Sequence, residues 1–343
     1  MFPTNWSCFS GLCRNLCSPV FIKCEKTDRR RDGLEDQSCG RRKSAGEGIM
    51  KNKKLSKRKR REAAVAYVFI LPDFIGLIVF VIIPILYAFY ISFFEWDLIN
   101  EKVFVGLGNY VRMKNDAEWW QALLRTVKLT LIYVPALFVT SLFFAVLISN
   151  IKSKAGSFIK TSFLMPFAIT SVIASTLWMF LYNEKRGYLN ALLNLLGIKK
   201  QGFLGDGGQA LFCIIAVLLW INLGYNMILF LSAIKDISQS YNEAATIDGA
   251  NGWHIFRYIT FPLIKQTSVF ILITTTIASF QVLDLIMVMT KGGPASATEV
   301  GALYIYDRSF NMMEMGYGSA LSVFLFLCLL VFSFVQLRLT TKE

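Results

Sequence analysis

The sequence predicts an all-α, polytopic membrane protein with six transmembrane helices. Its 343 residues are 55% hydrophobic and only 17% charged, with a mean hydropathy of +0.49, whereas soluble globular chains average ~25% charged residues. Six windows have the length that a bilayer core requires, about 20 mostly apolar residues. A strongly basic cluster directly precedes the first window. These observations exclude an ordinary soluble enzyme, a collagen-like fibre and a disordered protein.

The first 49 residues differ from the rest of the chain. Residues 1–49 hold five of the seven cysteines, together with nine basic and six acidic residues. The cysteine spacings match no paired zinc pattern, and no apolar run followed by a small-residue cleavage site indicates a secretory signal. Because Met50 opens a more ordinary start, we expect residues 1–49 to be disordered or not translated. Without their excess of three positive charges the net charge falls from +13 to +10.

The basic cluster predicts the orientation of the chain. Eight of the eleven residues 51–61 are basic, and such clusters stay on the cytoplasmic side of a membrane. We therefore expect a basic cytoplasmic N-terminus over 50–66, a transmembrane domain over 67–338 and a cytoplasmic tail over 339–343, in the cell membrane. No aromatic-rich basic domain follows the cluster, so membrane lipid rather than nucleic acid is the expected partner.

The six predicted spans are rich in Leu, Ile, Phe and Val, and several contain proline or glycine, which lipid-embedded bundles tolerate. They are expected at 67–94, 126–148, 161–182, 210–233, 267–289 and 318–338. An even number of spans places both termini in the cytoplasm. The loop between the fourth and fifth spans, 234–266, then also faces the cytoplasm, whereas the loops near 97–125, 183–208 and 291–317 face outward.

The cytoplasmic loop 234–266 is long and polar, and two short helices are predicted within it. Ser240 and Glu243 have the spacing of a capping box, and Gly249 can adopt the left-handed conformation that ends a helix. Asn251 is a suitable cap for the second helix, and Pro262 stops or bends the chain before the fifth span. Small side chains in the first helix permit close approach to a groove on a partner, but a simple solvated loop remains the alternative.

The same loop resembles a known family. Glu243-Ala244-Ala245-Thr246-Ile247-Asp248-Gly249-Ala250, followed by Ile259-Thr260-Phe261-Pro262-Leu263, is similar to the EAA loop of ABC importer permeases. Leu71-Pro72, Phe104–Tyr110, Phe280–Asp284 and Met289–Pro294 resemble the carbohydrate-uptake branch of that family. Within this branch the chain is more similar to the larger permease of maltose-type systems, which are related to lactose, glycerol-phosphate and multiple-sugar systems.

The resemblance implies the maltose-type permease fold and a set of partners. A separate cytoplasmic ATPase dimer would bind ATP and magnesium, so this chain is expected to be neither an enzyme nor a cofactor carrier; it also contains no phosphate-loop motif. A second homologous permease and an extracytoplasmic solute-binding protein would complete the importer, and the cargo would be a sugar, with an oligosaccharide favoured. The residues expected to couple to the ATPase are Glu243, Ala244, Ala245, Asp248, Gly249 and Ala250.

Polar and aromatic residues inside the predicted spans are candidates for the substrate path. In the fourth span these are Trp220, Asn222, Tyr225 and Asn226, and in the fifth they are Gln281 and Asp284. Asn222 and Asn226 share a helix face, as we expect for Gln281 and Asp284. Sugars need hydroxyl-pairing groups and flat aromatic surfaces, but hydrogen bonding between helices is an equal alternative. The single histidine excludes a His-based metal cluster or catalytic triad, so neither a metal site nor catalytic residues are expected.

Three alternative functions are kept open. A permease of the same family could carry glycerol phosphate or a polyol instead of a sugar. A secondary transporter driven by an ion gradient would have no need for a docking loop, and its uptake would not depend on ATP. A membrane scaffold or receptor subunit would bind a partner through the loop without moving any solute.

Overall fold

The computed structural model describes residues 57–149, 151 and 154–341. The chain divides into two compact units, Met1–Ala64 and Val65–Glu343, and the helices and strands from Val65 onward belong to the second. The predictions for residues 1–49 and for a start at Met50 lie outside the described residues, as do residues 51–56 of the basic cluster.

The described residues form fifteen α-helices and one two-stranded antiparallel sheet in which Phe94 lies opposite Phe104. The helices are α1 (Lys57–Leu77), α2 (Ile83–Ile91), α3 (Gly108–Asn115), α4 (Ala117–Ser149), α5 (Lys154–Leu164), α6 (Ser171–Leu181), α7 (Tyr188–Leu195), α8 (Gly207–Lys235), α9 (Gln239–Ile247), α10 (Gly252–Ile255), α11 (Phe261–Leu263), α12 (Lys265–Phe280), α13 (Asp284–Met289), α14 (Gly301–Tyr306) and α15 (Met315–Thr341). The strands are β1 (Phe94–Glu95) and β2 (Val103–Phe104).

The prediction of an all-α membrane protein is confirmed. Within the described residues four helical segments are long and apolar enough to cross a bilayer, namely Val65–Ile91, Ala117–Ser149, Gly207–Lys235 and Met315–Arg338. Two further segments are bent pairs, and the number of spans reaches six if each bent pair is one span.

Two predicted boundaries are wrong, at the C-terminal end of the first span and at the N-terminal end of the second. The first helix ends at Ile91 rather than at 94, because Phe94 already pairs with Phe104 in the hairpin. The second helix begins at Ala117, well before the predicted 126. Asp116 accepts hydrogen bonds from the backbone N–H groups of Glu118 and Trp119 and so caps the helix earlier than hydropathy alone indicates.

The third predicted span, 161–182, is not one straight helix. Its two halves, Gly156–Ala168 and Ser171–Leu181, meet at an angle of 99°. The chain tightens into a 3-10 turn at Met165–Ala168, and Ile169 is extended. Pro166 in this turn lacks an N–H for the helical ladder, and the Thr170 hydroxyl then accepts from the backbone N–H of Ile173 to start the second half. The bend therefore has a local cause.

The fifth predicted span, 267–289, is interrupted as well. Helix α12 ends at Phe280, three residues follow, and α13 begins at Asp284. Before this span the segment Gly252–Leu263 meets α12 at 67°, next to Pro262. Consequently the expectation that Gln281 and Asp284 share one helix face is wrong, because no continuous helix joins them.

The core lies between α4 and α8, which pack along most of their length. Leu129 and Leu137 of α4 and Ile214 and Val217 of α8 are essentially inaccessible to solvent and belong to one cluster of buried side chains. A second cluster near the other end of both helices includes Phe230 and the residue that precedes α12, Ile264. The two helices thus form a rigid centre on which the bent third and interrupted fifth spans rest.

A hydrogen-bonded cluster fixes the N-terminal end of α4 to α14 and α15. The Asp116 carboxylate accepts hydrogen bonds from the hydroxyls of Tyr304 at 2.7 Å and Tyr317 at 2.5 Å. Burial raises the pKa of Asp116, but these two hydrogen bonds and the nearby Arg308 outweigh it, so the pKa lies below its usual value. Arg308 also pairs with Glu118 at 2.9 Å, which adds a charged contact to the same cluster.

Candidate functional site

Helix α9 carries the first three of the six residues expected to couple to an ATPase, and the other three follow at its C-terminus. Gly249 has φ +80°, as expected for the residue that ends the helix. Its N–H donates to the Thr246 carbonyl at 3.1 Å, and the Ala250 N–H donates to the Ala245 carbonyl at 2.9 Å. This pair of bonds is a Schellman motif, which satisfies carbonyls that the helix end would leave free. Glycine is required here because left-handed backbone is costly for other residues.

The predicted capping box is wrong. Helix α9 begins at Gln239, with Ser238 at the capping position and without a side-chain cap. The Ser240 hydroxyl lies 2.8 Å from that of Ser238 instead of contacting the Glu243 backbone. Glu243 is therefore not used in capping, and its carboxylate forms no hydrogen bond or ion pair with the part of the chain that the structure describes.

Apolar and small side chains of α9 are exposed. Ile247 is 86% exposed and Tyr241 is 56% exposed, and Ala244 is also open to solvent. A helix that contacts only water has little reason to display such groups. The arrangement favours a surface that contacts another protein over the alternative of a solvated loop.

A cavity of about 1130 Å³ lies beside α9. Its walls are formed by α9, the C-terminal end of α8 and the segment from Gly252 to Thr260, with Ser149 at the end of α4. Glu243 and Asn242 lie on the wall that α9 contributes. The unpaired carboxylate of Glu243 thus lies on the wall of this cavity.

The second predicted helix of the loop is confirmed and is firmly attached to the membrane domain. The Asn251 side chain accepts from the His254 N–H at 2.9 Å and caps the helix. Phe256 packs against the buried cluster around Phe230 and Ile264, and Ile264 is 2% exposed. This packing joins the loop to the start of α12.

The path candidates on α8 are divided between the core and the surface. Asn226 is buried, and its amide donates to the Asn222 carbonyl at 3.0 Å. The Asn222 amide donates in the same way to the Leu218 carbonyl at 2.9 Å. Tyr225 is 40% exposed, and of the four candidates on α8 it is Trp220, Asn222 and Tyr225 that retain accessible surface.

The bend of the third span brings further residues to this face of α8. Phe167 stacks on Tyr225 with ring centroids 4.7 Å apart and planes 11° apart. Trp178 meets Trp220 edge to face at 5.6 Å. A Cβ atom at Gly224 would lie 1.8 Å from the Phe163 carbonyl oxygen, which shows how closely α8 approaches the bend. The sequence places Pro166 within the third predicted span but carries no signal for these contacts.

The path candidates of the fifth span lie at its interruption. Gln281 follows α12, Asp284 opens α13, and both are exposed. The Asp284 carboxylate accepts a hydrogen bond from the Ser171 hydroxyl at 3.2 Å. Sequence reasoning missed Ser171, although Thr170-Ser171 is a polar pair within an apolar run. The two sets of candidates therefore meet a common neighbour, the second half of the third span.

No group of three or more His, Cys, Asp or Glu side chains that could hold a metal occurs in the described ranges 57–149 and 154–341. The single histidine, His254, has its ring nitrogen 2.8 Å from the Asn251 side chain that caps its helix. Asn222 and Asp284 instead offer hydrogen-bonding groups to a neutral polar ligand, and Trp220 and Tyr225 offer aromatic faces.

Known proteins share this architecture. The profile of the family described as "Binding-protein-dependent transport system inner membrane component" matches residues 104–342. A probable ABC transporter permease protein of Pyrococcus horikoshii is 34% identical over 277 residues, which are 79% of this chain and 94% of that protein. The trehalose/maltose transport system permease protein MalF of Thermococcus litoralis is 35% identical over 290 residues, 84% and 98% of the two chains.

A solved structure shows the same fold. A chain of a bacterial alginate ABC transporter, in complex with an alginate pentasaccharide-bound periplasmic protein, superposes with a TM-score of 0.73 at 21% identity, covering 83% of this chain and 96% of that one. The relatives are matched over nearly their whole length. This chain therefore belongs to the family of inner-membrane components of binding-protein-dependent transport systems and is a multi-pass permease subunit of an ABC importer.

Proposed function

We propose that this permease takes up a sugar, favouring an oligosaccharide, by alternating access driven by a separate cytoplasmic ATPase dimer that binds ATP and magnesium. A second, homologous permease supplies the other wall of the path, and an extracytoplasmic solute-binding protein delivers the cargo. One observation carries the proposal: the segment 239–263 connects α8 to α12. All of the path candidates lie either in α8 or in the fifth span, which α12 begins.

The basic cluster of residues 51–61 supports the orientation. With this cluster in the cytoplasm, the loop between the fourth and fifth spans faces the cytoplasm, and the hairpin β1–β2 faces outward. Both termini are then cytoplasmic. The exposed helix α9 stands on the side of the membrane where ATP is available.

Coupling follows from how α9 is attached. We propose that Glu243, Ala244, Ala245, Asp248, Gly249 and Ala250 seat this helix in a cleft of the ATPase, with the Glu243 carboxylate facing a basic side chain. Closure of the ATPase dimer on ATP then moves α9. Because Phe256 and Ile264 pack in the buried cluster next to α8, the motion passes to α8 and α12 as rigid bodies.

The cargo is proposed from the chemistry of the path and from the relatives. Trp220 and Tyr225 provide aromatic surfaces, and Asn222, Gln281 and Asp284 provide hydrogen-bonding groups, a combination that suits hydroxyl-rich ligands. A carboxylate exposed at membrane depth is costly toward lipid, so we expect Asp284 to face the path or the second permease. The MalF relative is a trehalose/maltose permease, and the matched structure is from an alginate importer.

Reconstituted transport tests this proposal. The complex of this chain with the second permease and the ATPase is placed in vesicles with the binding protein, and uptake of labelled maltose, trehalose, malto-oligosaccharides and glycerol 3-phosphate is measured with and without ATP. We expect ATP-dependent uptake of at least one saccharide. Uptake driven by a proton or sodium gradient without ATP would establish the secondary-transporter alternative, and a complex that moves no solute would favour a scaffold.

Two substitutions test the coupling assignment within the same assay. Glu243→Lys reverses the charge on the wall of the cavity beside α9. Gly249→Pro is incompatible with the φ of +80° at position 249. Both variants should insert normally and lose ATP-dependent uptake. Gly252→Ala is the matched control, because a Cβ atom at Gly252 meets nothing within 4 Å. Normal uptake and normal ATPase coupling in both variants would contradict the docking assignment.

A further inference from the structure

The loop that joins the third span to the fourth contains one helix, α7, which has no part in the proposed transport path or in coupling. In the proposed orientation this loop lies on the outer side of the cell membrane, because it follows the third span. Helix α6 ends at Leu181 and α8 begins at Gly207, so both connections from α7 to membrane helices are short. The helix is therefore held close to the outer surface of the bilayer.

The free face of α7 is apolar. Tyr188, Leu192 and Leu195 recur at the spacing of one helix face, and all three are exposed, Leu195 to 83%. No charged residue occurs from Tyr188 to Ile198. A surface helix normally presents charged or polar side chains on the side that faces water. The exposed face of α7 is therefore suited to an apolar environment.

The opposite face holds α7 in one orientation. Leu189 packs against the buried cluster between α4 and α8. The Asn190 amide nitrogen donates to the Glu184 carbonyl at 3.2 Å and to the Gln201 carbonyl at 2.9 Å. The Asn190 side-chain oxygen accepts from the Gln201 backbone N–H at 3.0 Å. These contacts fix Leu189 and Asn190 inward, so the apolar face cannot turn toward the protein.

Basic residues flank the helix at both ends. Lys185 and Arg186 precede α7, and Lys199 and Lys200 follow it. All four side chains are exposed, and none forms an ion pair with a carboxylate in the part of the chain that the structure describes. Because Asn190 binds the backbone of both flanking segments, the two pairs of charges are gathered around the same helix.

This positive charge is unusual for an outer loop. From Asn183 to Asp206 the chain has four basic and two acidic residues, whereas basic residues near membrane spans are normally concentrated on the cytoplasmic side. An unpaired basic group on the outer side is favoured by an anionic partner. Lipid phosphates lie where the loop leaves the bilayer, and lysine and arginine donate strong hydrogen bonds to phosphate.

We propose that α7 lies in the plane of the outer surface of the cell membrane, with Tyr188, Leu192 and Leu195 between the headgroups and the acyl chains and the four basic residues on lipid phosphates. An apolar helix face accompanied by lysine and arginine is typical of interfacial helices. The exposed apolar surface of the third span also reaches Phe180, close to the start of this loop. A membrane is favoured over a soluble partner because both ends of the loop are anchored in it.

Fluorescence quenching tests this placement. A fluorescent amino acid is incorporated at position 192 or, as a matched control, at position 194, because Asn194 is also exposed but lies on another face of α7. Each variant is purified with the subunits that assemble with it and placed in nanodiscs of phosphatidylcholine and phosphatidylglycerol. Quenching is measured with aqueous iodide and with acyl chains brominated in only one of the two lipids.

We expect brominated lipid to quench position 192 and iodide to quench position 194, with a ratio of lipid to iodide quenching about fivefold higher at position 192. The variant Lys199→Gln/Lys200→Gln retains the apolar face and the backbone contacts of Asn190. Its quenching at position 192 by brominated phosphatidylglycerol should fall roughly twofold, whereas quenching by brominated phosphatidylcholine should not fall.

Four results would overturn the proposal. Quenching of position 192 by iodide alone would place α7 in water. Protection from both quenchers would show that another subunit covers it. Iodide quenching that disappears only when the solute-binding protein is added would assign the face to that protein. Equal quenching by both brominated lipids, unchanged in the lysine variant, would refute the contact with anionic headgroups. The proposal uses the outward orientation of the loop but neither the cargo nor the ATPase, so a complex that transports no sugar would refute the proposed function and leave this quenching pattern intact.

Discussion

The close approach of α8 to the bend of the third span leads to a quantitative prediction for Gly224→Ala. The added Cβ atom would lie 1.8 Å from the Phe163 carbonyl oxygen and 2.8 Å from the Leu164 Cα atom. Real Cβ contacts are essentially never shorter than 3.0 Å, so the helix and the bend must separate by at least 1.2 Å, the difference between 3.0 and 1.8 Å. Both atoms belong to the backbone, which cannot rotate away as a side chain can.

The expected cost is about 2–3 kcal/mol, the upper range for overpacking a well-filled interior. Because Tyr225 and Phe167 stack across the same contact, the displacement also reaches the proposed path. We expect a lower thermal unfolding midpoint for the purified permease and reduced ATP-dependent uptake. Gly76→Ala is the matched control in another membrane helix, since a Cβ atom there meets nothing within 4 Å.

The measurements are the unfolding midpoint of each purified variant in detergent and the initial rate of uptake after reconstitution. A Gly224→Ala protein with the midpoint of Gly76→Ala and wild-type uptake would refute the reasoning, because it would show that α8 and the bend are not in contact. A lowered midpoint with normal uptake would confirm that α8 packs against the bend, but it would show that this packing does not affect transport.

Three further predictions concern single side chains. Asp116→Asn should destabilise the purified permease by about 2 kcal/mol at pH 7, since hydrogen bonds to a charged group are stronger than those to a neutral one. Because the pKa of Asp116 is lowered in the folded protein, the stabilisation by its carboxylate is lost as the pH falls below about 4. In a pH series of unfolding midpoints, the difference between the variant and wild type should therefore shrink below that pH. Asn251→Ala removes the cap of the second loop helix and should cost about 1 kcal/mol, with less protection of the His254 amide in hydrogen exchange. Ser238→Pro should be tolerated or should stabilise α9 by about 0.5 kcal/mol, because φ is already −58° there; loss of uptake in this variant would show that the start of α9 must change conformation.

The sequence was sufficient to predict features that depend only on residues adjacent in the chain. Gly249 was predicted to end the first loop helix because its left-handed conformation is a local property, and the observed φ of +80° agrees. Asn251 was predicted as a cap for the same reason. Ser240 was assigned wrongly because its spacing to Glu243 matches a capping box, whereas the residue at the capping position is Ser238, an equally suitable start signal two residues earlier.

The features that the sequence did not predict depend on contacts between distant parts of the chain. The 99° bend after Pro166 is stabilised by Phe163 and Phe167 against α8, and periodicity within one segment contains no information about that neighbour. The interruption before Asp284 also involves a distant contact. The Asp284 carboxylate accepts a hydrogen bond from Ser171, which lies 113 residues away in sequence. A hydropathy window reports that both segments are apolar and cannot report that they break.

The central claim is that the segment 239–250 contacts a cytoplasmic ATPase and moves with its nucleotide state. A photo-crosslinking amino acid placed at Tyr241, which is 56% exposed, tests it most directly. The comparison is the same substitution at Tyr188, which is 76% exposed and begins α7, on the outer side in the proposed orientation. We predict that position 241 crosslinks to the ATPase subunit with an efficiency that changes between the nucleotide-free and ATP-bound states, whereas position 188 never does. Absence of any such crosslink from position 241 in every nucleotide state, in vesicles that take up solute, would contradict the account.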